Sequence, residues 1–312
     1  MRMINDFNSF SDVDVQPSST SYFSEPSSGL DPKLFEGMHL RSWVRNSVLR
    51  ILFDHLAVMY QEPNLWVSAW LAGSGVSYQW ESARQPGDLD CLVGIDYVKF
   101  RRTNSDFTGM SNEEIAGMFN EEFANQVMPK TSNWEGFELT YYVNPQSNIV
   151  DINPYAAYDL INDGWTVKPS QDTSPPYSRV WGQSVERDYN TAIELVNRYG
   201  QALAEFRGST SSANRVNAER KLQLAIDQAA DMYENIHHGR KIAFSKTGAG
   251  YEDYHNYRWQ AGKQSGIVQA LKMIKDYRDA ARKSDELETY GIELPTPDTL
   301  IRRTISHKSP LQ

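Results

Sequence analysis

From residue 34 the chain places apolar side chains at helical spacing: Leu34, Phe35, Met38, Trp43, Val44, Val48, Ile51, Leu52 and Leu56. With Asp31 as a cap and Pro32 at the first helical position, this predicts an amphipathic helix over 32–60 that Glu62-Pro63-Asn64 ends. Shorter apolar runs follow. Residues 65–71 (LWVSAWL) predict a buried strand running into Gly73-Ser74-Gly75, and 76–84 a short helix or helical turn. Gln85-Pro86-Gly87 turns the chain into a second strand over 88–95. Ser111 with Glu114 three residues on is a capping box, opening a helix with Ile115, Met118, Phe119, Phe123 and Val127 inward. A third strand is expected at 137–143 and a fourth at 149–152, separated by a turn at 144–148.

Beyond 168–178 (KPSQDTSPPYS), a Pro- and Ser-rich join, the period is only helical. Helices are expected at about 184–207, 213–237 and 255–283, with a Gly-containing loop at 244–253 (FSKTGAGYED). Residues 1–30 hold eight serines and no regular period, which predicts a flexible tail. The pattern therefore divides the chain into a tail (1–30), a mixed α+β domain (31–175) and a helical domain (176–312).

Composition narrows the class. The 312 residues are 40% hydrophobic and 23% charged, ordinary globular usage that excludes collagenous and wholly disordered chains. No run of some eighteen uncharged apolar residues suits a membrane span, and no apolar run near the start resembles a secretory signal. The single cysteine, Cys91, excludes an intramolecular disulfide and a cysteine-based zinc site. A reducing cytoplasm is the compartment expected. The net charge of −9 is uneven: residues 1–183 hold 12 Lys+Arg against 23 Asp+Glu, and 184–312 hold 19 against 17. Within 237–283, ten Lys+Arg face four Asp+Glu among Phe244, Tyr251, Tyr254, Tyr257, Trp259 and Tyr277. Cations mixed with aromatics suit a polyanion with flat bases such as RNA; a solvated helix face over core aromatics gives the same pattern.

The most informative stretch is Gly73-Ser74-Gly75 followed by Asp88-Leu89-Asp90, with thirteen residues between Ser74 and Asp88. Alternate strand side chains share a face, so Asp88 and Asp90 point one way, with Leu89 and Cys91 toward the core. Two such carboxylates repel one another without a cation, and Mg²⁺ is commonly held by one or two carboxylates plus substrate phosphates. A glycine-flanked serine after a strand lets a phosphate approach the backbone closely. Each part alone is common, since Gly-Ser-Gly is a frequent turn and Asp-X-Asp a frequent surface strand. Together they resemble the nucleotidyltransferase superfamily of DNA polymerase beta-like fold, over about 33–165.

That resemblance implies a nucleotidyltransferase-like mixed sheet with flanking helices, followed by a helical domain. It implies transfer of an NMP from an NTP such as ATP to a hydroxyl acceptor, assisted by Mg²⁺ or Mn²⁺, with release of pyrophosphate. Asp88 and Asp90 would hold the metals, and a third acid would help deprotonate the acceptor. The third acid is Glu138, on the first strand after the capped helix, or Asp151, one predicted strand later. Glu138 is preferred as the metal ligand. Gly73, Ser74 and Gly75 would grip the triphosphate. Basic residues around the later loop, Lys246, Arg258 and Lys263 above all, would reach the triphosphate or an RNA acceptor. For each of these a solvated surface charge is the alternative. The acceptor is an RNA end, such as a tRNA, or a second nucleotide. A catalytically silent nucleotide- or RNA-binding module and a toxin-type nucleotidyltransferase are the rival readings. Neither the oligomeric state nor the NTP is given by the pattern.

Other motifs carry less. His237-His238 is expected near a helix C-terminus, where cations suit the dipole. Ser245-Lys246-Thr247 lacks the glycine frame of a P-loop. Tyr257 and Trp259 could stack a base but sit at helical spacing typical of core. Cys91 is expected as a small buried hydrophobe.

Overall fold

A computed structural model describes residues 7, 10–18, 20–80, 87–145, 149–171 and 179–291, and at Ser21, Val150 and Asp151 the backbone alone. The fold is mixed α+β and falls into two compact units. A sheet unit comprises Ser19–Pro175 and Ala243–Asp253; a helical unit comprises Met1–Ser18, Pro176–Ile242 and Tyr254–Gln312.

The sheet unit opens on a small hairpin of β1 (Phe35–Glu36) and β2 (His39–Leu40), then α1 (Ser42–Met59), α2 (Pro63–Trp66) and β3 (Val67–Ala72). After β4 (Gly87–Ile95) come α3 (Tyr97–Thr103), α4 (Asn112–Glu122) and α5 (Met128–Thr131), the last two joined by a π-helical turn at Phe123–Val127. Then follow β5 (Phe137–Val143), β6 (Ala157–Asp159) and β7 (Gly164–Val167). The five long-range strands form one mixed sheet in the order β5-β4-β3-β6-β7. β4 and β5 run parallel, and the other neighbours are antiparallel.

The alternation of side chains gives this sheet two different faces. On one, Ala69, Leu71, Leu89, Cys91, Val93, Leu139, Tyr141 and Val143 pack against Val44, Val48, Leu52 and Leu56 of α1 and Ile115, Ala116 and Phe119 of α4. The opposite face is apolar only in part, where Trp70, Ala72, Leu92, Ile149, Ile152 and Ala157 cluster. Along that same face, toward the start of β4, lie Asp88 and Asp90. Ser111 closes the expected capping box with Glu114 at the start of α4.

Four local expectations are corrected. The helix expected over 32–60 begins only at Ser42. Asp31 caps no helix: its side chain accepts from the Lys33 N–H at 2.8 Å within a turn, and Gly37 (φ +60°) then turns the chain into the β1–β2 hairpin, so that Arg41 precedes α1. Residues 65 and 66 belong to the short α2 rather than to the strand. The fourth strand expected at 149–152 is a 3₁₀ turn, Ile149–Ile152. Of the short helix or helical turn expected over 76–84, the structure has a 3₁₀ turn that begins earlier, at Ser74–Val76, and no helix over 77–80; residues 81–86 lie outside the described ones.

The helical unit contains α6 (Arg179–Gly208), α7 (Ser212–Ala243), α8 (Tyr254–Ser265) and α9 (Ile267–Tyr290). The last two were expected as one helix. Gly266, at φ +85°, breaks them apart in a left-handed conformation that glycine adopts without a Cβ penalty. Nor do residues 7–30 behave as a flexible tail where they are described. Phe7, Phe10 and Val13 are buried in the core of the helical unit with Tyr199, Leu203, Phe206 and Leu271. Phe10 stacks on Tyr277 at 4.8 Å, and the Tyr199 hydroxyl donates to the Ser11 carbonyl at 2.9 Å. Ser18 then caps α8: its N–H donates to the Gln264 carbonyl at 3.0 Å and its hydroxyl to the Lys263 carbonyl at 2.7 Å. In the sheet unit Tyr22 and Leu30 are buried. The aromatic residues scattered among the serines supply the burial that the serine count hides. No helix of the described residues is long and apolar enough to cross a membrane.

Candidate functional site

The site begins where β3 ends. Ala72 pairs with Asp90 across the β3–β4 ladder, so the chain leaving β3 turns directly over the acidic end of β4. Gly73 makes that turn at φ +89°, and its N–H donates to the Ala156 carbonyl at 3.1 Å. Ser74–Val76 then forms the 3₁₀ turn, held by buried Val76 and by the Ser77 hydroxyl donating to the Ser74 carbonyl at 2.9 Å. The two glycines are required for different reasons, Gly73 by its positive φ and Gly75 by close approach of backbone. A Cβ on Gly73 would stand 3.3 Å from Asp90 Oδ2, and one on Gly75 would stand 2.5 Å from the Asp88 carbonyl oxygen. Gly73-Ser74-Gly75 is thus packed onto Asp88-Leu89-Asp90, as the sequence spacing anticipates.

The β4–β5 register adds the third strand. Asp88 is level with Glu138, and Asp90 with Thr140. Burial along β5 alternates strictly, with Phe137, Leu139, Tyr141 and Val143 buried and Glu138, Thr140 and Tyr142 only partly so. Glu138 therefore shares the face of Asp88 and Asp90. The Thr140 hydroxyl donates to Asp90 Oδ1 at 2.9 Å. Asp88 is exposed and Asp90 half-buried. Alternating with them, Leu89 and Cys91 point into the core, and burial together with the Asp90 charge pushes the Cys91 thiol well above its ordinary range. Cys91 is an inert core residue.

Of the two candidate third acids, Glu138 stands beside Asp88, while the backbone of Asp151 lies in the Ile149–Ile152 turn and its side chain lies outside the described residues. Among the described residues, no three His, Cys, Asp or Glu side chains form a metal-binding group. The donor set consists of hard carboxylate oxygens on one strand face. That set suits Mg²⁺, which fills much of its octahedron with water and substrate phosphate rather than with protein ligands. By the same chemistry it does not suit a soft, thiolate-seeking ion.

The basic candidates divide between the units. Lys246 lies in the sheet unit, because the segment Ala243–Asp253 packs there. Asn153 Nδ2 donates to the Gly248 carbonyl at 3.0 Å, and Tyr155 stacks on Phe244 at 5.7 Å and meets Tyr251 edge-on at 4.7 Å. Asn153 and Tyr155 lead into Ala156, the residue that accepts from Gly73, so the Lys246 loop and the Gly73 loop are tied to one stretch of backbone. Arg258 and Lys263 belong to α8 in the helical unit. Arg258 forms a two-pronged pair with Asp188, at 2.6 and 2.9 Å, and its remaining nitrogen donates to Asn235 at 2.7 Å. The hydrogen bonds and charge of Asp188 raise its basicity above the usual arginine value. This guanidinium joins α8 to α6 and α7.

The aromatic part of 237–283 is mostly core. Tyr257 is buried against Trp181, and Trp259 against His237 and Tyr233. Neither ring is available to a base. Several cations of this stretch are also paired: Lys272 with Asp276, Lys275 with Asp279, Arg278 with Asp231 and Glu234, and Arg282 with Glu286. His237 is not at a helix end, since α7 runs on to Ala243. Burial, and then Lys241 and Arg240, hold its imidazole below the ordinary histidine range.

Sequence reasoning passed over Thr140 and the Asn153–Tyr155 anchor. Thr140 was legible: the same period of two that exposes Glu138 exposes the residue two places on. Compared with family models, with curated proteins and with solved structures, the chain finds no match in any of the three.

Proposed function

We propose that the protein is a Mg²⁺-dependent nucleotidyltransferase that moves an NMP from an NTP to a hydroxyl acceptor and releases pyrophosphate. The observation that carries this reading is the seating of Gly73-Ser74-Gly75 on the strand that bears Asp88 and Asp90. Phosphate chemistry needs a close-approach backbone loop and a pair of carboxylates within one substrate's length of each other. Here a Cβ at Gly75 would intrude on the backbone of the acidic strand, and one at Gly73 would touch the Asp90 carboxylate.

In this reading Asp88 and Asp90 hold Mg²⁺, with Glu138 alongside Asp88. When bound, the metal neutralises phosphate charge and lowers the barrier to in-line displacement. The chain's own groups do the rest. Ser74, between its glycines, orients the triphosphate, and Lys246 faces the same substrate from a loop anchored to Asn153 and Tyr155. Glu138 accepts the proton of the attacking acceptor hydroxyl. The new bond joins the acceptor oxygen to the α-phosphorus, and the bond to the β-phosphate oxygen breaks as pyrophosphate leaves. Arg258 supports α8 rather than the triphosphate. The acceptor is an RNA end or a second nucleotide.

The test is incubation of purified protein with Mg²⁺ or Mn²⁺ and each α-labelled NTP, with and without total RNA. Label entering RNA or a small soluble product supports transfer and names the acceptor class. Metal-dependent NTP binding without product supports a silent binding module instead, and label on the protein itself supports self-modification.

A further inference from the structure

Asp88 and Asp90 stand two residues apart on one strand, yet their cross-strand neighbours differ. Asp88 is level with an acid, Glu138, and Asp90 with a hydroxyl, Thr140. The difference matters because the terminal torsion of an aspartate is broad, so a donor held on the neighbouring strand decides where its oxygens lie. Thr140 is β-branched, so its χ1 is stiff, and it sits in the interior of a seven-residue strand. Its hydroxyl is therefore a fixed donor, and it donates to Asp90 Oδ1 at 2.9 Å. The other oxygen, Oδ2, lies against Gly73, near enough that a Cβ there would come to 3.3 Å. One oxygen is thus held from β5, while the other is turned toward the Gly73-Ser74-Gly75 loop.

We propose that Thr140 is a positioning residue that locks the Asp90 carboxylate, holding Oδ1 from β5 and setting Oδ2 on the glycine-loop side, in the orientation a metal would meet. This rests on the nucleotidyltransferase reading of the site and deepens it, assigning Asp90 the part of a ligand preset by a donor from β5. A threonine present only to fill the strand would be replaceable by valine, which has the same shape and similar strand preference. A positioning threonine would not, because valine has no donor. Serine keeps the donor and loses only a methyl group.

The experiment titrates Mn²⁺ alone into wild type, Thr140→Val and Thr140→Ser, reading free Mn²⁺ by electron paramagnetic resonance. Steady-state kinetics with NTP and thermal melts run in parallel. Hydrogen bonds to charged groups are stronger than neutral ones, so Thr140→Val should weaken Mn²⁺ binding by about 10-fold. It should lower kcat by a similar factor with the KM for NTP changed less than about twofold, since the ground-state grip on the triphosphate lies in the glycine loop. Thr140→Ser should recover most of both, with melts within a few degrees of wild type. Should Thr140→Val unfold, Thr140→Ala takes its place, with the same expectation relative to Thr140→Ser.

Wild type that binds Mn²⁺ and turns over NTP, beside a valine variant that does both equally well, would overturn the role of Thr140 and leave the nucleotidyltransferase reading standing. Loss in valine and serine alike would also overturn it, because shape rather than the donor would then matter. Wild type that neither binds Mn²⁺ nor turns over NTP would overturn the site reading, and this inference with it.

Discussion

Gly266→Ala puts the packing of the N-terminal segment to a quantitative test. Gly266 separates α8 from α9 at φ +85° and ψ −7°, and the backbone of Gln16 lies directly against it. An L-residue held in the left-handed region loses roughly 1–2 kcal/mol. A Cβ would also overlap the Gln16 carbonyl oxygen and come to 2.9 Å from its amide nitrogen, so backbone must shift rather than a flexible side chain. Overpacking of that kind costs about 1–3 kcal/mol. Against this, replacing glycine stiffens the unfolded chain and offsets about 0.4–1 kcal/mol. The net expectation is a loss of about 1–4.5 kcal/mol. It should be visible in urea unfolding and accompanied by faster amide exchange at 10–18 and at the C-terminal end of α8, where Ser18 donates to the Lys263 and Gln264 carbonyls. Gly200→Ala is the control. Gly200 lies within α6, and a Cβ there meets nothing within 4 Å, so this variant should gain about 0.5–1 kcal/mol. If Gly266→Ala left stability within about 0.5 kcal/mol of wild type, with exchange at 10–18 unchanged, the segment would not be packed against the helix break.

Three further outcomes are expected. Gly75→Ala, whose Cβ would sit 2.5 Å from the Asp88 carbonyl oxygen, should cost about 1–3 kcal/mol and weaken Mn²⁺ binding, because either the loop or the acidic strand must move; unchanged binding would detach the loop from the site. Asp188→Ala strips a largely buried guanidinium of its carboxylate and should destabilise the helical unit by about 2–4 kcal/mol. The double variant Asp188→Ala/Arg258→Met should be less damaging than the sum of the singles, as measured by urea unfolding. His237 is held below its ordinary range, so the unfolded chain binds its proton first as pH falls. Its neutral form costs nothing above about pH 6.5, and the penalty grows below that value; a plot of unfolding free energy against pH should slope less steeply between pH 7 and 5 in His237→Gln.

Much of the site was legible because it is local. A glycine-serine turn after one strand and a period-two acid pair on the next are separated by only thirteen residues. The antiparallel pairing of β3 with β4 then brings Ala72 opposite Asp90 with little freedom of register. Glu138 was legible for the same reason, as an acid between apolar neighbours on a strand whose bounds the pattern gave. What could not be read depends on distant partners. The lysine loop at 243–253 follows a helix, and contacts with residues far back in the chain, Tyr22, Asn153 and Tyr155, assign it to the sheet unit. Arg258 looked like a surface cation because its partner, Asp188, lies seventy residues away. The first thirty residues misled for a different reason. Serine-rich composition averages over Phe7, Phe10, Val13 and Tyr22, and burial is decided by those few side chains rather than by the mean. The helix expected from residue 32 failed at Gly37, where a left-handed glycine let a hairpin take over.

If Asp88 and Asp90, beneath the Gly73-Ser74-Gly75 loop, carry metal-dependent nucleotidyl transfer, their loss must abolish it. The assay follows α-labelled NTPs with Mg²⁺ or Mn²⁺, with and without RNA, in wild type and in Asp88→Ala/Asp90→Ala. Label should enter an acceptor with pyrophosphate released in equal amount, and both should fall by at least about 1,000-fold in the double variant while its melting curve persists. Product formed equally by the double variant would show that these two carboxylates do not carry the transfer.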